Sequence, residues 1–178
     1  VDLLTEKARG SSSLLLALSP RESMSAPLEA LRRLAERPSP FPLLAPLAFL
    51  RGEPSRAALA EAADSLRGGF RALKLADSGG WVFLALDAEG PWTRARRALG
   101  DLVEPGFLPE FPGLLLGSGA PGDGAAPPRS SLGAWTLDLF RFEYGPEGPL
   151  SGCVWTLVSS LPVRKTGTER RPPPPPHS

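Results

Sequence analysis

Residues 13–18 form a short apolar run, closed by serines on one side and by Ser19-Pro20 on the other. A run of this length between turn residues has the pattern of a buried strand. The period then changes. Leu28, Leu31, Leu34 and Ala35 recur at helical spacing, while Glu29, Arg32, Arg33 and Glu36 fall on the opposite face. This predicts a helix over residues 25–37, with Ser25 as N-cap and Pro27 in the first turn, where a missing N–H does no harm. Glu29 and Arg33 stand in a favourable i,i+4 relation. Pro38-Ser39-Pro40 ends the helix. Residues 43–50 are a second apolar run and a second predicted strand. Pro46 lies inside it and removes a ladder donor, so the strand must be an edge or carry a bulge. Residues 55–67 place Ala58, Leu59, Ala62 and Leu66 on one helical face, and Gly68-Gly69 closes that helix.

Residues 70–76 and 81–86 are strand-like runs around Asp77-Ser78-Gly79-Gly80, which predicts a hairpin. Trp81, Phe83 and Ala85 alternate with Val82, Leu84 and Leu86, so both faces are apolar and the strand should be central. A third helix is predicted over residues 92–103. Trp92, Ala95, Leu99, Leu102 and Val103 form its buried stripe, and Arg94, Arg96 and Arg97 its solvated face. Residues 107–111 read as a loop, 114–116 as a short strand and 117–129 as a Gly/Ala/Pro linker. Residues 130–144 alternate again, with Trp135, Leu137, Leu139 and Arg141 against Thr136, Asp138, Phe140 and Phe142. Residues 153–161 read as the final strand and its hairpin partner. The order is strand, helix, strand, helix, hairpin, helix, short strand, hairpin. It implies an α+β fold of mostly antiparallel sheet with helices on the outer faces. The chain divides into an N-terminal extension (1–10), one domain (11–163) and a basic, proline-rich tail (164–178) without packing periodicity, expected to be disordered or polyproline II.

Composition narrows the chemistry. Among 178 residues there are 22 Pro, 19 Gly and 17 Arg against 3 Lys, with no Ile, Asn or Gln. That bias fits a GC-rich genome. Cys153 is the single cysteine and His177 the single histidine. A disulfide framework, a multi-Cys zinc site and a His-based dyad or metal centre are therefore excluded, and no cofactor is implied. A formal charge of +1 provides no bulk field toward nucleic acid or membrane. No apolar run approaches the roughly 20 residues of a membrane span. The opening VDLLTEKARG lacks the basic end and apolar core of a secretory signal, and it lacks an initiator Met, as a fragment or processed product would. A lone Cys fits the cytoplasm or another reducing intracellular compartment, and a monomer is expected.

Four segments carry a resemblance: SSSLLLALSP, PLEALRRLAERPSPFPLLAPLAFL, FRALKLADSGGWVFLAL and FPGLLLGSG. In order, spacing and apolar texture, residues 11–163 resemble the two-histidine (2H) phosphoesterases, the cyclic nucleotide phosphodiesterase-like and 2′–5′ RNA ligase-like proteins. The resemblance implies two pseudo-symmetric lobes, each presenting a His-x-Thr/Ser motif to a shared cleft. One imidazole would act as general base and the other as general acid in opening a 2′,3′- or 1″,2″-cyclic phosphate, with the hydroxyls holding phosphate oxygens. Imidazole suits both roles near neutral pH. In this chain Leu44 falls in the first His position and Pro46 in the Thr position, while Gly113 and Leu115 fall in the second His and Ser positions. No His, Ser or Thr occurs in residues 41–50 or 111–116. Both motifs are thus expected to be lost.

Other groups are weaker candidates. Gly113, Gly117 and Gly119 are spaced glycines with no Lys-Ser/Thr after them, so they form no Walker loop. Glu104, Glu110 and Asp138 are carboxylates that could replace imidazole, with a solvated or Arg-paired Asp138 as the plainer reading. Arg51, Lys74 and Arg141 could line a residual anion groove, with solvated surface as the alternative for each. Trp81, Trp92, Trp135 and Trp155 could stack on bases, but their positions fit core packing. The tail joins Arg164, Lys165, Arg170 and Arg171 to Pro172, Pro173, Pro174, Pro175 and Pro176, a minimal ligand for an SH3- or WW-type domain. Three functions follow as expectations. A degenerate phosphodiesterase binding RNA or a nucleotide would keep a concave, Arg-lined cleft. An interaction or structural module would have a filled cleft and an exposed apolar patch elsewhere. An active phosphodiesterase without histidines would need paired ionisable groups converging on one point.

Overall fold

A computed structural model of the protein describes residues 13–39, 41–68, 70–105, 111–121, 131–132, 134–144 and 153–164. Two antiparallel sheets and three helices make up these residues. The first sheet has the order β3-β1-β8-β9, from β1 (Ser13–Pro20), β3 (Ala45–Leu50), β8 (Trp135–Tyr144) and β9 (Cys153–Val163). The second has the order β2-β6-β5-β4-β7, from β2 (Ala35–Pro38), β4 (Phe70–Ser78), β5 (Trp81–Leu86), β6 (Gly113–Pro121) and the two-residue β7 (Ser131–Leu132). The fold is α+β, as the element order implies.

Local chemistry accounts for most of these elements. Gly79 and Gly80 both have positive φ, at 62° and 82°, and close a tight turn that only glycine adopts without strain. The strands around it run closer to the turn than the apolar runs suggest, with Ser78 opposite Trp81. β5 is central, between β6 and β4. Pro46 sits on an edge strand beside an irregularity in the β1–β3 register, as its missing N–H requires. Helix α2 (Arg56–Ser65) is capped by Ser55, whose hydroxyl accepts from the Ala58 N–H at 3.1 Å. Helix α3 (Glu89–Leu99) buries Trp92, Ala95 and Leu99 and packs against α2. A 3-10 turn (Gly100–Leu102) follows it, where the periodicity suggested continued helix.

The structure corrects the sequence reading in several places. Helix α1 spans Glu22–Arg32, not residues 25–37, and its N-cap is Arg21. Residues 35–38 are instead β2, paired with β6 through Arg37–Ser118 and Pro38–Gly117. Glu29 accordingly pairs with Arg32, at 2.6 Å, and not with Arg33, which caps the helix. Arg96 is not simply solvated. Its Nε donates to the Leu47 carbonyl at 2.8 Å, and burial lowers its pKa. The short strand expected at 114–116 runs on through Pro121, into the region read as linker. Residues 107–110 of the expected loop, the remainder of the linker, the N-terminal extension and most of the proline-rich tail lie outside the described residues.

Alternation along each strand divides the interior in two. Leu16 and Leu18 of β1, Val82, Leu84 and Leu86 of β5, Leu114 and Leu116 of β6, and Trp135, Leu137 and Leu139 of β8 join the helices in the larger core. The opposite faces of the same strands meet in a second cluster of Leu15, Ala17, Phe41, Leu44, Phe49, Phe83, Leu115, Phe140 and Phe142. This second cluster joins the two sheets, and it is where the two motif segments lie.

Candidate functional site

The first motif segment is anchored before it reaches β3. Arg32, at the end of α1, donates from Nη1 to the Phe41 carbonyl at 2.7 Å and to the Ser39 carbonyl at 3.2 Å, while Nη2 pairs with Glu29. Ser39 Oγ accepts from the Phe41 N–H, and the Ser39 N–H donates to the Leu116 carbonyl at 2.9 Å. These bonds tie Ser39 to β6 and fix Phe41 to α1. The Leu115 N–H then donates to the Leu44 carbonyl, also at 2.9 Å. The two segments are therefore joined backbone to backbone.

Their side chains close the space between the sheets. Leu44 is 1% exposed and Leu115 4%. Pro46 is buried and stands opposite Ala17 in the register. Gly113 is buried too, and the space a side chain would enter is taken by neighbours. A Cβ there would lie 3.0 Å from Phe83 Cβ and 3.1 Å from Phe111 Cε2.

Aromatic rings fill the rest of the seam. Trp155 stacks on Phe142 with centroids 5.0 Å apart and meets Phe41 and Phe140 edge-on at 4.9 and 5.7 Å. Phe83 and Phe111 form another edge contact at 5.8 Å. Such pairs add about 0.5–1.5 kcal/mol each beyond the burial of their area. All four tryptophans thus pack: Trp92 and Trp135 in the larger core, Trp81 and Trp155 against the seam.

Asp138 is the one buried charged residue among those described, at 6% exposure. By alternation it shares the seam face of β8 with Phe140 and Phe142, and the register sets it between Ala17 and Ser160. Its partner is a hydroxyl, not an arginine: Ser160 Oγ donates to Oδ1 at 2.5 Å. The three candidate anion ligands lie elsewhere. Arg51 is exposed just beyond β3, with its N–H on the Leu102 carbonyl. Arg141 is paired with Glu53 Oε1 at 2.5 Å. Lys74 is exposed on β4 of the other sheet. Among the described residues no group of three or more His, Cys, Asp or Glu side chains could hold a metal ion.

Sequence reasoning missed Arg32 and Ser160. Helical spacing marks Arg32 only as one of several residues on a polar face, and nothing local pairs Ser160 with Asp138.

No family model matches the chain, and no curated protein matches it. Solved structures do. TT0787 of Thermus thermophilus is 23% identical, with 87% of this chain and 100% of that chain covered and a TM-score of 0.51. Escherichia coli LigT complexed with phosphate is 17% identical over 86% of this chain and 99% of its own, with a TM-score of 0.47. A structure described as a phosphoesterase is 17% identical over 86% and 99%, with a TM-score of 0.44. Among the described residues no helix is long and apolar enough to cross a membrane. The likeness to TT0787, which extends over nearly the whole domain, shows that this chain shares its fold.

Proposed function

We propose that the protein is a catalytically degenerate form of the two-histidine phosphoesterase fold and serves as a non-catalytic interaction module. One observation carries this reading. Leu44 and Leu115, at positions the resemblance assigns to the first His and the second Ser, are buried and joined by a backbone hydrogen bond. Opening a cyclic phosphate needs a base within hydrogen-bond reach of water and an acid within reach of the leaving oxygen. Leu44 and Gly113 can do neither, and even a Cβ on Gly113 would crowd Phe83 and Phe111.

The carboxylate at this face does not restore the chemistry. Asp138 is held by Ser160, and its negative charge would oppose a phosphate brought alongside it. An RNA or nucleotide in the residual cleft would need Arg51, Lys74 and Arg141 as counter-charges, yet Arg141 is already answered by Glu53. A filled seam together with exposed apolar side chains elsewhere favours the interaction module over nucleotide binding. The run Pro172–Pro176 adds a separate proposed contact, to an SH3- or WW-type domain.

The test is direct. The full chain is incubated with a 2′,3′-cyclic nucleotide at pH values from about 5 to 8, the range of imidazole chemistry. Product should not exceed a buffer control. Turnover above that control that persists in His177→Ala overturns the reading.

A further inference from the structure

Five large hydrophobic residues are exposed among those described, and three of them lie together on β9: Val154 at 62%, Leu157 at 54% and Val158 at 38%. β9 is an edge strand, joined to β8 and to no other strand among the described residues. A free edge presents a row of unpaired backbone N–H and C=O groups, and proteins usually blunt it with charges, prolines, bulges or a short strand. β9 is eleven residues long and contains no Asp, Glu, Lys or Arg. Its two protective features both fall toward its C-terminal end. The register with β8 shifts between its partners Leu157 and Ser159, leaving Val158 as the extra residue, and Pro162 follows. Residues 153–157 carry neither.

The exposed segment is also self-complementary. Val154-Trp155-Thr156-Leu157-Val158 reads as valine, large apolar, threonine, large apolar, valine in either direction. We propose that this segment pairs antiparallel with the same segment of a second copy of the chain, about a two-fold axis at Thr156. That axis sets Thr156 opposite the partner's Thr156 and Trp155 opposite the partner's Leu157, with Val154 and the bulge residue Val158 flanking these pairs at the ends of the segment. Thr–Thr pairs are among the cross-strand combinations that stabilise antiparallel sheet, and Trp155 against the partner's Leu157 would bury apolar area. Two-fold symmetry repeats any charge on both sides of the axis, so a strand free of charge near Thr156 brings no like charges together on self-pairing. The first sheet would then continue across the axis as eight strands. The proposed dimer stands against the expected monomer, and it is independent of whether the seam has any activity.

The experiment measures the mass of the full chain by light scattering, up to its highest soluble concentration. Twice the chain mass of 18.8 kDa is expected. Thr156→Lys should halve that mass with an unchanged circular dichroism spectrum, because Thr156 is exposed in the single chain. Register is tested by cross-linking. Opposite residues of an antiparallel pair lie about 4.5–5.5 Å apart between Cα atoms, within the reach of a disulfide. In a Cys153→Ser background, Thr156→Cys should therefore oxidise to a covalent dimer, whereas Val154→Cys should not. A monomeric wild type, a dimer that survives Thr156→Lys, or equal cross-linking from both positions overturns the proposal.

Discussion

Ser160 Oγ donates to Asp138 Oδ1 at 2.5 Å, between neighbouring strands and next to the aromatic seam. The carboxylate is buried against Ala17 in the register, so it depends on this hydroxyl in place of water. Leaving a buried acceptor without its donor costs about 1–3 kcal/mol. Ser160→Ala should lower stability by that amount in urea unfolding. Asp138→Ala combined with Ser160→Ala should cost less than the sum of the two single changes, since the second removes a bond already broken. Additive losses would show that the pair is not coupled.

Gly117 and Gly113 are close approaches of different kinds. A Cβ on Gly117 would overlap the Arg37 carbonyl oxygen and press on Ala35, both in the backbone-paired β2 strand. A Cβ on Gly113 would meet Phe83 Cβ at the edge of tolerance and the ring of Phe111, which can rotate away, without the deep backbone overlap found at Gly117. Both alanine variants should be destabilised, at about 1–3 kcal/mol for moderate overpacking. Gly117→Ala should be the worse, because a strand must move instead of a side chain. Denaturant midpoints measured side by side check the order.

Arg32 fastens the approach to β3. Its guanidinium bridges the carbonyls of Ser39 and Phe41 while pairing with Glu29. Hydrogen bonds involving a charged group contribute about 1.5–3 kcal/mol. Arg32→Met should therefore destabilise the protein by an amount in that range and loosen Phe41 from Trp155. Arg32→Lys should recover little, because an ammonium cannot reproduce the planar fork that spans these acceptors. Unfolding curves and the near-ultraviolet dichroism of the aromatic seam measure the two effects.

Where periodicity and turn chemistry act locally, the sequence made the fold readable. The alternation of residues 135–142 sorts the two faces of β8 correctly, Gly79-Gly80 marks the β4–β5 hairpin, and Pro46 marks an edge strand with an irregular register. β2 was not readable. Leu34 and Ala35 continue the helical period, and residues 36 and 37 are charged and exposed, so the strand state comes from pairing with β6 beside Gly117. The seam divides the same way. The lack of His, Ser and Thr around positions 44 and 113 is plain in the sequence. The bond from Leu115 to Leu44 is not, because backbone groups pair irrespective of side-chain type across that separation. Asp138 illustrates the limit further: its face was readable, while its partner is set by strand register.

Placing imidazoles at positions 44 and 113 should not create an enzyme. In Leu44→His the new ring would enter an apolar cluster where Leu44 is 1% exposed, and an unpaired buried polar group costs about 1–3 kcal/mol. In Gly113→His the Cβ alone reaches the crowded limit against Phe83 Cβ and the Phe111 ring, so both neighbours must give before the imidazole can be placed. A base and an acid also need substrate between them, and the Leu115–Leu44 backbone bond holds the segments together there. The double variant Leu44→His/Gly113→His should thus be less stable than the parent and no faster than a buffer control on a 2′,3′-cyclic nucleotide. Denaturant unfolding and product formation, followed on the same preparation, check both parts. A stable double variant that turns over substrate would mean that the seam opens, and that the two missing side chains alone separate this protein from catalysis.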